Sequence, residues 1–207
     1  AVYNDRVDRR QEAVAKATEG TVGYVHIAAM AEADFRRFER ELFADGDGKS
    51  ALIIDVRGNG GGSTADWLFT VLTQADHAIT RPRGGGDGYP QDRRIFSAWT
   101  KPVVVLCDEF SYSNAEIFSH GIKTLKRGPV VGQTTYGAVI STGAFMLMDG
   151  SSLRNPFRGW IAKGNMKNME NNGCEPDYLV INTPADVLAG RDPQLDKAIE
   201  LALKAVR

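Results

Sequence analysis

Cysteine is scarce in this chain: two residues, Cys107 and Cys174, among 207, too few for a disulfide framework. Cys107 closes the apolar run Val103-Val104-Val105-Leu106 and reads as buried packing. No run of 18 apolar residues occurs, which excludes the sequence signature of a membrane-spanning helix. Neither sign of charge is in excess. Against 26 Asp and Glu stand 25 Lys and Arg, a formal net charge of −1, which argues against a nucleic acid or an anionic membrane surface as the main partner. Internal repeats and low-complexity segments are missing, so solenoid and linker-dominated architectures drop out. Histidine is limited to His26, His77 and His120. No signal peptide is evident, and the first residue is Ala1. The chain is therefore expected to be a processed or excised piece, with its compartment, cytoplasm or periplasm, left open.

What is present is a globular composition, 43% hydrophobic and 25% charged, in which strand-like and helix-like segments alternate. Thr21–Ala28, Ser50–Arg57, Lys101–Cys107 and Pro129–Gly132 read as strands from their β-branched and apolar runs. Residues 4–17, Ala31–Ala44, Thr64–Gln74, Ala115–Arg127 and Gln194–Val206 carry apolar residues at helical spacing. Hairpin strands are expected around Gly143–Met148 with Asp149-Gly150 as a turn, and short strands at Trp160–Lys163 and Tyr178–Ile181. This alternation predicts an α/β fold with a mixed sheet. Asp45-Gly46-Asp47-Gly48 reads as a surface turn, since the later ligands of a calcium loop are missing. Residues 80–92, rich in Gly, Pro and Arg, read as a surface loop.

Two strand–turn–helix units carry candidate chemistry. In the first, Ile53-Ile54-Asp55-Val56-Arg57 runs into Gly58-Asn59-Gly60-Gly61-Gly62, whose glycines let backbone amides approach a ligand closely. The loop lacks both the G-K-[ST] ending of a phosphate loop and the G-x-G-x-x-G spacing of a dinucleotide site. An oxyanion hole, which needs only one or two aimed amides, remains. In the second unit Ser113 stands at the mouth of a helix, where free amides and the helix dipole stabilise developing negative charge. Ser113-Asn114-Ala115-Glu116 also fits a capping box, and on the tetrapeptide alone capping is the stronger reading. Ser111 reads equally well as a turn residue.

Three segments in this order resemble the tail-specific (C-terminal processing) serine peptidases: Asp55-Val56-Arg57-Gly58-Asn59-Gly60-Gly61-Gly62, then Phe110-Ser111-Tyr112-Ser113-Asn114-Ala115-Glu116, then Glu175-Pro176-Asp177. The resemblance implies a crotonase-like fold of ββα units. Within the family it is nearest to the tricorn core protease branch. The lysine base of the tail-specific branch falls on Ala138 here, whereas Glu170 sits where the glutamate of a serine–histidine–glutamate system would stand. The resemblance implies Ser113 as nucleophile and the amides of Asn114 and Gly61, or else Gly60 or Gly62, as oxyanion hole. Asn114 departs from the aspartate of tricorn. No metal or cofactor is implied.

The histidine of that system lies in a segment before a PDZ-like domain, and neither segment is among these residues. His120, about two helical turns or roughly 10 Å beyond Ser113, is too far to serve. The chain is expected to be the C-terminal part of a catalytic core, to act on peptide or unfolded-protein substrates, and to form a homo-oligomer through an apolar face left open. A non-catalytic peptide-binding or assembly module of the same fold, and a crotonase-type acyl-CoA enzyme, are the rival readings.

Overall fold

The structure is a computed structural model and describes residues 2–44, 48–75, 81, 83–85 and 98–207. His77, most of the turn at 45–48 and most of the loop at 80–92 lie outside the described residues. The elements run α1 (Val2–Ala17), β1 (Val22–His26), α2 (Glu32–Ala44), β2 (Ala51–Asp55), α3 (Ala65–Leu72), β3 (Val103–Cys107), α4 (Asn114–Thr124), β4 (Val130–Gly132), β5 (Ile140–Met146), β6 (Ser152–Gly159), β7 (Ile161–Ala162), β8 (Lys167–Asn168), β9 (Tyr178–Leu179), α5 (Pro184–Leu188) and α6 (Pro193–Ala205).

Continuous apolar runs such as Leu52-Ile53-Ile54 and Val103-Val104-Val105 suit strands covered on both faces, as a parallel sheet with helices above and below requires. That is the arrangement found. Five strands pair in the order β1-β2-β3-β4-β9, every pair parallel, with Leu52 opposite Val103 and Ile54 opposite Val105. Alternation along each strand then divides the core in two. Ile27, Leu52, Ile54 and Val105 pack with Phe35 and Phe38 of α2, Leu68 of α3 and Phe118 and Ile122 of α4. Tyr24, Ile53, Val104 and Leu106 face the other way, against Val7 and Val14 of α1 and Leu195, Ala198 and Ala202 of α6. Each fully buried Leu, Ile or Phe contributes roughly 1.5–3 kcal/mol, so the two helical layers fix the sheet.

The α/β class holds, but the expected mixed sheet is divided. Among the described residues, antiparallel pairing is confined to the separate pairs β5–β6 and β7–β8. The long β5–β6 hairpin stands off the core, with Phe145, Met146, Leu153 and Phe157 exposed. Among the described residues, no helix is long and apolar enough to cross a membrane.

Candidate active site

Because β2 and β3 are parallel neighbours, their C-terminal ends open at one edge of the sheet, where crevices form between the following turns. Side chains stitch those two turns together. Asp108 Oδ1 accepts the amides of Gly58 at 2.9 Å and Phe110 at 3.1 Å. Ser111, fully buried, donates its hydroxyl to the Val56 carbonyl at 2.9 Å and is a turn residue, not a nucleophile. The Tyr112 amide donates to the Asn59 carbonyl at 2.9 Å.

Ser113 comes next, held at φ 55° and ψ −115°, with α4 beginning at Asn114. A positive φ is costly for a residue with a Cβ, and such strain persists only where surrounding contacts impose it. The capping box is half made. Glu116 Oε1 accepts the Ser113 amide at 3.0 Å. The Glu116 amide instead donates to the Ser113 carbonyl at 3.0 Å, and the serine hydroxyl makes no cap hydrogen bond.

The glycine loop meets this turn directly. A Cβ on Gly61 would lie 2.7 Å from Ser113 Cβ and 3.0 Å from the Asn114 nitrogen, and Gly61 has φ +87°. Only glycine permits that approach. Ser113, Asn114 and Gly61 are thus brought together, as the sequence motifs imply. The Gly61 amide, however, donates to Asn59 Oδ1 at 2.9 Å. The amides of Gly60, Gly62 and Asn114 have no acceptor among the described residues. Asn114 turns its side chain away from Ser113, accepting the Ala65 amide at 2.9 Å at the start of α3. An aspartate would offer the same acceptor, so the departure at this position leaves the backbone geometry intact.

Glu116, legible in sequence only as a capping residue, is the organiser of the site. It is fully buried, and its carboxylate takes four donors. Ser113 N (3.0 Å) and Ala138 N (2.9 Å) reach Oε1, while Thr135 Oγ1 (2.7 Å) and Gly137 N reach Oε2. A buried carboxylate is tolerated only with such pairing. The Thr135 hydroxyl also accepts the Cys174 amide at 2.7 Å, and Asn171 N donates to the Gly137 carbonyl at 2.8 Å. Glu170 adjoins Asn171 in this loop and is not among the groups in contact with Ser113. Its Oε2 is buried and has no partner among the described residues, an arrangement that calls for an explanation.

Neither described histidine serves Ser113. His26 is buried between the Tyr3 hydroxyl, 2.8 Å from Nδ1, and the Arg57 carbonyl, 3.1 Å from Nε2. Burial holds its pKa below the ordinary histidine value. His120 reaches the Asn172 carbonyl at 3.3 Å, and burial lowers its pKa too. A cavity of about 600 Å³ opens over Ser113, with Gly60, Gly62, Ile117, Val139 and Trp160 in its lining and neither histidine nor lysine among the described residues there.

The Asp-x-Arg pair of the motif does structural work. Arg57 forks between Asp55, at 2.7 Å, and Asp192 before α6, at 2.8 Å, and Tyr24 donates to Asp55 at 2.7 Å. Burial would raise the Asp55 carboxyl, but the Arg57 charge outweighs it and holds the group far below the usual range. The pair clamps the start of α6 to the end of β2.

Residues 21–180 match peptidase family S41. The chain is 36% identical over 99% of its length to tricorn protease homolog 1 of Streptomyces coelicolor, and 31% identical over 99% to the tricorn protease of Thermoplasma acidophilum; in each case it covers 19% of the relative. It superposes on the crystal structure of the tricorn protease with a TM-score of 0.87 at 30% identity, covering 99% of this chain and 20% of that one. The chain therefore spans about a fifth of the length of the relatives it matches, and it shares their α/β fold.

Proposed function

This chain belongs to peptidase family S41, and from that premise we propose that it carries the nucleophile side of a serine peptidase site, forming an acyl-enzyme on Ser113. The observation that supports the reading most directly is the Gly61 contact. It presses a glycine-rich turn against a strained serine at a helix start, beside an Asn114 amide with no acceptor among the described residues. As Ser113 Oγ attacks a peptide carbonyl, the oxyanion falls to the Asn114 amide and to Gly60 or Gly62, since the Gly61 amide is engaged by Asn59. Serine needs a base to accept its proton. We assign that base to a histidine outside these 207 residues, with Glu170 as the group that orients it; its partnerless buried oxygen fits that role.

On this reading the chain is the C-terminal part of a larger catalytic core, and its substrates are peptides or unfolded proteins. The exposed apolar face of the β5–β6 hairpin supports a homo-oligomer or cover by the rest of the protein. The test is fluorophosphonate labelling of the longer protein that contains this chain. Labelling at Ser113, with Ser113→Ala abolishing peptide hydrolysis, is the expected result. Intact hydrolysis by Ser113→Ala overturns the reading and leaves the non-catalytic module as its successor.

A further inference from the structure

The turn that carries Glu170 is held by its neighbours on both sides. The Glu170 amide donates to Asn168 Oδ1 at 3.1 Å, and its carbonyl accepts Asn172 Nδ2 at 3.2 Å. The Asn172 amide donates to the Met169 carbonyl at 3.1 Å, closing a four-residue turn with Glu170 and Asn171 at its centre. Asn171 has φ 60°, whereas Glu170 is not among the residues of positive φ. Positive φ at the third position alone marks a type II turn, which favours glycine or asparagine there. Upstream, the Met169 amide donates to the Trp160 carbonyl at 2.8 Å and the Met169 side chain is buried in the core. Downstream, Gly173 lies so close to the segment after β4 that a Cβ on it would stand 2.1 Å from the Thr135 carbonyl.

The Asn171 side chain is exposed and makes no hydrogen bond among the described residues. Its contribution is its backbone. The Asn171 amide donates to the Gly137 carbonyl at 2.8 Å, the Gly137 amide donates to Glu116 Oε2, and Glu116 Oε1 accepts the Ser113 amide at 3.0 Å. A short chain of hydrogen bonds therefore leads from the turn of Glu170 to the turn of Ser113. The competing type I turn rotates the peptide between Glu170 and Asn171 by roughly 180°. Such a rotation would withdraw the Asn171 amide from Gly137 and the Glu170 carbonyl from Asn172, and would re-aim the Glu170 side chain. We infer that Asn171 is a positioning residue, whose left-handed backbone sets the place of the Glu170 carboxylate relative to Ser113. This rests on the reading of Glu170 as the group that orients the base. The carboxylate, with one buried oxygen lacking a partner among the described residues, is thereby fixed in advance by the backbone that carries it.

Steady-state peptide hydrolysis by the longer protein that contains this chain tests it, in Asn171→Val, Asn171→Gly, Glu170→Gln and the double variant Glu170→Gln/Asn171→Val. A β-branched residue resists positive φ and glycine accepts it. Asn171→Val is expected to lower kcat on the order of tenfold with KM little changed, because a misplaced orienting group weakens the chemical step and not substrate binding. Asn171→Gly is expected to keep the parent kcat, although it lacks the side chain just as valine lacks the amide. The double variant is expected to be no slower than Glu170→Gln alone, since a residue that acts only through Glu170 then has nothing left to position. A merely structural role predicts instead that the two losses add. With Glu170→Gln slow, any of three results overturns the inference and leaves Glu170 as the orienting group: parent kcat in Asn171→Val, an equal loss in Asn171→Gly, or additive losses in the double variant. Parent kcat in Glu170→Gln overturns that reading of Glu170 and this inference with it. Where the parent cuts no peptide, the rate of fluorophosphonate labelling at Ser113 replaces kcat in the same proteins, and a parent that takes no label overturns both.

Discussion

Glu116 holds Ser113 by its backbone and not by its hydroxyl. The carboxylate accepts the Ser113 amide at 3.0 Å and takes its other three donors from Thr135, Gly137 and Ala138. The turn of Ser113 and the segment after β4 are thereby tied through one buried anion, and the serine hydroxyl makes no cap hydrogen bond.

Substituting Glu116→Gln tests that role. The amide group keeps one acceptor oxygen but turns an NH2 toward two existing donors, which leaves buried groups unpaired and costs about 2–3 kcal/mol. Denaturant unfolding measures the loss. Fluorophosphonate labelling of Ser113, taken well below the melting temperature, is expected to slow by at least tenfold, because misplacing a reacting atom by a fraction of an ångström is penalised heavily. A destabilised protein that labels at the original rate would show Glu116 to be structural only.

The glycine loop gives a graded prediction. Gly60→Ala meets nothing within 4 Å and has no positive φ, so both fold and hydrolysis are expected to survive it. Gly61→Ala places a methyl 2.7 Å from Ser113 Cβ at φ +87°. Backbone strain there costs about 1–2 kcal/mol, and displacement of Ser113 is expected to cut kcat about a hundredfold. Melting temperatures and kcat for both variants check this. Equal activity in the two would separate the loop from the chemistry.

Acid sensitivity follows from the Asp55–Arg57–Asp192 clamp. Burial would raise the Asp192 carboxyl, but the hydrogen bond and charge of Arg57 prevail and hold it below the usual value, as at Asp55. With folded values below unfolded ones, the clamp's stability is complete above about pH 4 and lost as pH falls through the folded values. His26 adds a loss that begins higher. Its pKa is depressed by burial, so the unfolded chain takes up the proton first as pH drops below about 6.5. Urea midpoints are expected to fall gently below pH 6.5 and steeply below pH 4. Asp192→Asn is expected to cost about 2 kcal/mol at pH 7 and to flatten the steep limb. An unchanged acid limb in Asp192→Asn would remove Asp192 from the account.

Much of this site was legible in the chain because its parts are local. The apolar runs ending at Asp55 and Cys107, each followed by a turn and helical spacing, carry their own signals of strand length and period. Parallel pairing then brings Gly61 and Ser113 together with no further information. Glu116 was visible only as the fourth residue of a capping box, since three of its donors lie about 20 residues downstream and reach it through tertiary packing. The clamp was hidden for the same reason: Asp192 is 135 residues from Arg57. The engaged Gly61 amide depends on the rotamer of Asn59, which no spacing rule encodes. The division of strands into separate sheets was equally hidden, because alternation shows that a strand forms but not which edge it joins.

The 207-residue chain alone is expected to be nearly inactive as a peptidase. A serine hydroxyl is a weak nucleophile near neutral pH, and its activation depends on a neighbouring base. The residue at the lysine position of one S41 branch is Ala138, whose amide is spent on Glu116. His26 has both ring nitrogens occupied on the opposite side of the sheet, and His120 is turned to Asn172. Groups of a triad act as a unit, so a missing base costs up to about a million-fold in turnover even with an oxyanion hole in place. The two core layers are nevertheless complete enough for the chain to fold, so circular dichroism and a cooperative melt should report a native protein that hydrolyses peptides at a small fraction of the rate of the longer one. Adding the remaining segments in trans is expected to raise the rate. His77, outside the described residues, is the histidine within the chain that this geometry does not address, and His77→Ala separates the cases. If the bare chain cleaves peptides at the rate of the longer protein and His77→Ala abolishes it, the base lies within these residues, and the assignment to an outside histidine is wrong.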